Sequence, residues 1–92
     1  MSSPIVHDTA ASRFSLQRDG HEAELTYRLQ GATLVIEHTV VPGPIGGQGI
    51  GGDLVRAALE HARAAGLKVV PACSYAAAYV QRHPEYADLV DG

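Results

Sequence analysis

From Pro42 the chain reads Pro42-Gly43-Pro44-Ile45-Gly46-Gly47-Gln48-Gly49-Ile50-Gly51-Gly52, with six glycines among its last ten positions. A bare backbone that opens a helix presents unpaired N–H groups and the positive end of the helix dipole, so its natural guest is a phosphate or pyrophosphate. The single cysteine, Cys73, precedes Ser74, a residue type that caps helices. There the positive end of the following helix would favour negative charge on sulfur. His38 suits a general base working near pH 7. Glu37, one position earlier, alternates to the opposite strand face and is the weaker candidate. Tyr75 offers a phenol that can donate a proton. Each group also has a packing role open to it. Cys73 reads equally as a small buried hydrophobe, His38 as a core imidazole bonded to backbone, and Tyr75 as a packing partner of Tyr79 one turn on. His7, His21, His61 and His83 form no i,i+4 pair and have no second cysteine nearby, so no metal site is expected.

Periodicity defines the elements that must carry these groups. Arg13–Arg18 alternates, with Phe14 and Leu16 on one face, and Asp19-Gly20 supplies a two-residue hairpin turn. Ala23, Leu25, Tyr27 and Leu29 then alternate with polar residues, and Gln30-Gly31 marks a second turn. Ala32–Val41 forms a third strand, with Leu34, Ile36, His38 and Val40 on one face and Val35, Glu37, Thr39 and Val41 on the other. An amphipathic helix over about Gly49–Ala65 follows, with the stripe Ile50, Leu54, Val55, Ala58, Leu59 and Ala62, an Arg56–Glu60 pair at i,i+4, and Gly66 as its stop. Leu67–Val70 is a short strand. A second helix runs from an N-cap at Ser74 to about Arg82, ended by Pro84, and a short piece over Glu85–Val90 docks Tyr86 and Leu89. The expected fold is a mixed α/β sheet, an antiparallel three-stranded meander followed by a β-α-β unit and a short C-terminal helix. Parallel pairing of strands 32–41 and 67–70 brings the glycine loop and Cys73 to the same sheet edge, where open α/β sheets bind ligands.

Two phosphate motifs fail on these residues. A P-loop needs Gly-Lys-Ser/Thr at the helix start, where Gly51-Gly52-Asp53 stands. Gly47-Gln48-Gly49-Ile50-Gly51-Gly52 matches the dinucleotide pattern by letter. The preceding strand, however, ends too early and no acidic residue follows strand 67–70 to hold a ribose.

The third guest is acyl-coenzyme A. Glu37-His38-Thr39-Val40-Val41-Pro42, Gly47-Gln48-Gly49-Ile50-Gly51, Val70-Pro71-Ala72-Cys73-Ser74-Tyr75 and His83-Pro84-Glu85-Tyr86 resemble the GCN5-related N-acetyltransferases, in their minimal stand-alone branch, sometimes called YjdJ-type. The resemblance runs from about Ile5 to Val90. It implies acetyl-coenzyme A as cofactor, its pyrophosphate on the loop Gly46, Gly47, Gln48, Gly49, Ile50, Gly51 and Gly52. Pantetheine would then lie along Val40 and Val41, with the thioester near Cys73. The resemblance implies a catalytic role for this cysteine, either relaying the acyl group or facing the thioester. Larger relatives use a tyrosine near the thioester to protonate the leaving thiolate, as Tyr75 would, and His38 joins them as a base that takes a proton from the incoming ammonium. The implied reaction moves an acetyl group to an amine, on a protein side chain or a small polyamine. Two positions depart from the family signature. Gly46 stands where it has Gln or Arg, and Asp53 brings a carboxylate to the helix start. A non-catalytic coenzyme A-binding or protein-interaction domain is the alternative.

The chain has 92 residues, 46% hydrophobic and 18% charged, a balance that suits a single folded domain over residues 1–92 with a core of about 5–90. Seven basic against ten acidic residues, net −3, exclude the electrostatic footprint of a nucleic-acid binder. No apolar run suggests a membrane span. Met1–Asp8 has no signal-peptide pattern, and a lone cysteine points to a reducing cytoplasm.

Overall fold

The computed structural model describes residues 5–90. The readings made on Met1–Pro4 and on the last two positions lie outside the described residues. One five-stranded sheet runs in the order β1 (Val6–Asp8), β2 (Arg13–Arg18), β3 (His21–Gln30), β4 (Thr33–Val40) and β5 (Lys68–Pro71). The first four strands are antiparallel and β4–β5 is parallel, which makes the sheet mixed as expected. Strand β1 is an addition to the expected meander; three residues are too few to show alternation. The β2–β3 turn places Asp19 and Gly20 at φ 52° and 77°, the left-handed pair that a two-residue hairpin requires.

Helix α1 (Ile50–Ala65) connects β4 to β5, and its whole predicted stripe is buried at 1% exposure or less. It packs on Phe14, Leu16, Ala23, Leu25, Tyr27, Leu34, Ile36 and Val69 from the sheet. Leu29, expected on this face, is 56% exposed because β2 pairs with β3 only as far as Thr26 and leaves Leu29 without a neighbour on that side. The expected Arg56–Glu60 pair is replaced. Glu60 accepts a hydrogen bond from the Tyr86 hydroxyl at 2.5 Å, which with burial pushes the phenol up to about 12.

Helix α2 (Ser74–Arg82) leans on the start of α1 through Ala76, Tyr75 and Tyr79. A 3-10 turn over Pro84–Leu89 buries Tyr86 and Leu89, as expected for the C-terminal piece. Val90 then bridges to Val69 and covers part of the outer edge of β5. Among the described residues no helix is long and apolar enough to cross a membrane.

Candidate functional site

The site begins with an irregularity in β4. Val40, Thr39 and His38 pair with Glu24, Leu25 and Thr26, but the next pair is Ile36 with Tyr27, so Glu37 is an extra residue opposite no partner. A bulge of this kind bends its strand and reverses the alternation beyond it. His38 and Val40 therefore do not share the face of Leu34 and Ile36. Both are exposed, Val40 at 52%, while Leu34 and Ile36 are at 0%. Thr39 takes the inward position instead, on the face of Leu25. The bulged Glu37 is held by Arg28, whose Nε donates to its carboxylate at 2.9 Å.

On the other side of β4, pairing with β5 stops at Ile36–Pro71. Proline has no N–H to continue a ladder. The next two amides, of Ala72 and Cys73, both donate to the Ile36 carbonyl, at 3.0 and 3.2 Å. From Glu37 onward β4 is paired with β3 alone, and the two parallel strands part there.

Cys73 stands at this parting. Its Sγ lies 3.5 Å from the Thr39 hydroxyl and accepts from the Ala76 amide at 3.4 Å. Cys73 itself, with φ −90° and ψ 149°, is thus the N-cap of α2, and Ser74, expected in that role, is the first helical residue. Thr39 is the site residue that sequence reasoning missed. Read as continuous alternation, β4 sends it to the wrong face, and only the bulge brings it to the sulfur.

The glycine loop starts as a 3-10 turn over Gly43–Ile45, and the fully buried Ile45 pins it to the core. Gly46–Gly49 is exposed. Gly49 caps α1 at φ 77°, a left-handed conformation that any residue with a Cβ adopts at a cost. Among the described residues, no carbonyl or side chain accepts from the amides of Gly47, Gln48 or Gly49. The first-turn amides of Ile50, Gly51 and Gly52 add to them, since a helix start has no partners of its own for these groups. This run of free donors on a bare backbone, at the positive end of a 16-residue helix, fits a pyrophosphate.

Gly51 and Gly52 have a second use. A Cβ at Gly51 would stand 2.6 Å from Cζ and Oη of Tyr75, and one at Gly52 3.3 Å from Tyr79. Their missing side chains let the tyrosines of α2 lie on α1. The Tyr75 hydroxyl therefore sits at the first turn of α1, and among the described residues it bonds to nothing, Cys73 included. Tyr75, Ala78, Tyr79 and Arg82 line a groove of about 180 Å³ beside it. Tyr79 stacks on His83 with ring centroids 4.0 Å apart.

Of the expected site residues, the structure brings together Cys73 and the β4 end near Val40 and Val41, with Val41 packed against the core. His38 lies across the strand on the open sheet face. Among the described residues no cluster of three metal-ligating side chains occurs.

The profile of the GCN5-related N-acetyltransferases matches residues 13–89. The mouse protein NATD1 is 35% identical over 83 residues, which span 87% of this chain and 76% of that protein, and the human NATD1 is 34% identical over the same length. The NMR solution structure of a GCN5-like protein from Staphylococcus aureus superposes with a TM-score of 0.78 at 33% identity, covering 99% of this chain and 90% of that one. Loop, parted strands and sequence agree, and the chain belongs to the GCN5-related N-acetyltransferase family.

Proposed function

We propose that this protein, acting as one minimal domain, transfers an acetyl group from acetyl-coenzyme A to an amine on a protein side chain or a small polyamine. The observation that carries this reading is the run of unpartnered amides at Gly47–Gly49 at the same sheet edge as Cys73. Acetyl-coenzyme A, when bound, supplies the acyl group as a thioester already activated toward amines. Gly46–Gly52 hold its pyrophosphate, and Val40 and Val41 flank its pantetheine arm where β4 has lost its partner. A reducing cytoplasm, where the lone Cys73 stays a thiol, is the compartment that suits it.

The residues divide the work by strand face. Cys73 and Thr39 face the gap between β4 and β5 from the core side and position the acyl group. His38, exposed on the opposite face, receives the proton that an incoming ammonium must lose, at a ring nitrogen. Glu37 is held by Arg28 and is the weaker candidate for that proton. The Tyr75 hydroxyl, free of other partners among the described residues, holds the proton that a departing thiolate would take.

Replacing Cys73 by Ala and by Ser separates chemistry from capping, because serine puts an oxygen acceptor in place of the capping sulfur and alanine leaves none. With lysine peptides and a polyamine as acceptors, both variants are expected to bind acetyl-coenzyme A and to lose turnover. The second reading, a binding domain without turnover, draws on the sulfur's existing engagement by Ala76 N–H and Thr39. It predicts that wild type and both variants bind alike and that none turns over.

A further inference from the structure

The protein carries net charge −3, yet its cations are not evenly used. Arg13, Arg28 and Arg63 each pair with a carboxylate, and Lys68 donates to the Asp88 carbonyl. Among the described residues, Arg18, Arg56 and Arg82 have no carboxylate within salt-bridge distance. They come from β2, α1 and α2, and only Arg18 is bonded to the glycine loop. Arg82 lines the groove with Tyr75 and Tyr79, and the charge of Arg56 acts on the Tyr79 phenol. Arg18, at the end of β2, reaches the glycine loop itself, where its Nη1 donates to Gln48 Oε1 at 3.1 Å.

The loop needs such a visitor. From Pro42 to Gly52 it holds no cation, Gly46 has no side chain, and the first charged residue of α1 is Asp53, a carboxylate within the first turn. Two phosphates resting on these amides would meet that negative charge without a counter-ion from the loop. A guanidinium has five N–H donors in a planar fork suited to phosphate oxygens, and the bond to Gln48 uses one of them. Gln48 thus fixes the arginine beside the loop and leaves its other donors free.

We infer that Arg18 is the pyrophosphate-binding cation of this chain, delivered from the β2–β3 hairpin and positioned by Gln48. The inference rests on the coenzyme A reading above. It makes Arg18 a specificity residue for the nucleotide arm of the donor and irrelevant to its thioester arm.

The test compares two donors, acetyl-coenzyme A and S-acetylpantetheine, which has the same thioester arm and no nucleotide. Arg18→Gln is expected to bind acetyl-coenzyme A about tenfold more weakly, with a shallower salt dependence, and to use S-acetylpantetheine as the wild type does. Moving the cation, by Arg18→Gln with Gln48→Arg, is expected to restore most of the lost affinity. Thermal melts of both variants establish that they fold. An acetyl-coenzyme A affinity within about twofold of wild type in Arg18→Gln overturns the inference and leaves the coenzyme A reading intact. Equal losses for both donors also overturn it, since the arginine would then act on the loop's shape. A wild-type protein that binds no acetyl-coenzyme A overturns the coenzyme A reading, and the inference with it.

Discussion

The two ends of α1 are built on opposite plans. At its C-terminal end the capping amide and the neighbouring charged side chains have partners. The Gly66 amide closes on the Ala62 and Arg63 carbonyls, and Arg63 holds both oxygens of Asp88 at 3.0 and 3.1 Å and the Glu85 carbonyl at 2.9 Å. Lys68 donates to the Asp88 carbonyl, and Tyr86 to Glu60. The guanidinium holds the Asp88 carboxyl below the usual range. At the N-terminal end, the amides of Gly47–Gly49 donate to no protein acceptor among the described residues, the loop carries no charged side chain, and Arg18, without a carboxylate, reaches it from β2. Polar groups bonded within the protein hold a chain end in place, whereas donors that face solvent have only water to exchange for a ligand. We assign ligand binding to the bare end and a purely structural role to the other.

Variants at the two ends should therefore differ in whether cofactor affinity falls, whatever each costs in stability. The largest effect is expected for Gly49→Val, which forces a β-branched residue into the left-handed cap. It should cost about 2 kcal/mol of stability and weaken acetyl-coenzyme A binding by more than about tenfold, read by denaturant unfolding and calorimetry. Tyr86→Phe, at the other end, should cost about 1 kcal/mol by removing a hydrogen bond to a carboxylate, with cofactor affinity unchanged. Loss of cofactor affinity in that variant would break the division. Cys73→Ala should also cost about 1 kcal/mol through loss of the α2 cap, and Cys73→Ser should recover it.

The smallest effect concerns a cluster away from both ends. His7 stacks on Phe14 at 4.0 Å, meets His61 at 4.4 Å and bonds the Tyr27 hydroxyl at 2.7 Å. Burial first, and then the charge of His61, hold its pKa below the ordinary histidine value of 6.5. The unfolded chain then binds the proton more readily, so this contribution to stability is present above pH 6.5 and is lost as pH falls through the folded value. Acid unfolding should be less steep in His7→Phe than in wild type.

Much of this was legible in the sequence. Helix α1 announced itself by a six-residue stripe, the β2–β3 turn by Asp19-Gly20, and the shared sheet edge of the glycine loop and Cys73 by topology alone. What was not legible lies in contacts between elements. The Glu37 bulge leaves no mark in an alternation that reads smoothly from Leu34 to Val40, so His38 and Thr39 exchange faces only in three dimensions. Ser74 is the better cap by type, yet geometry gives the role to Cys73. Gly51 and Gly52 look like loop glycines and serve also as seats for Tyr75 and Tyr79. Arg18 reaches Gln48 from thirty positions away, a distance over which no local pattern speaks.

The most direct test of the central claim is calorimetric titration of the wild-type protein with acetyl-coenzyme A, beside coenzyme A and NAD. Saturable binding of acetyl-coenzyme A with NAD silent, lost in Gly49→Val and kept in Tyr86→Phe, is the predicted result. No binding of acetyl-coenzyme A, or equal binding of NAD, would contradict the assignment of the bare end of α1 to this cofactor.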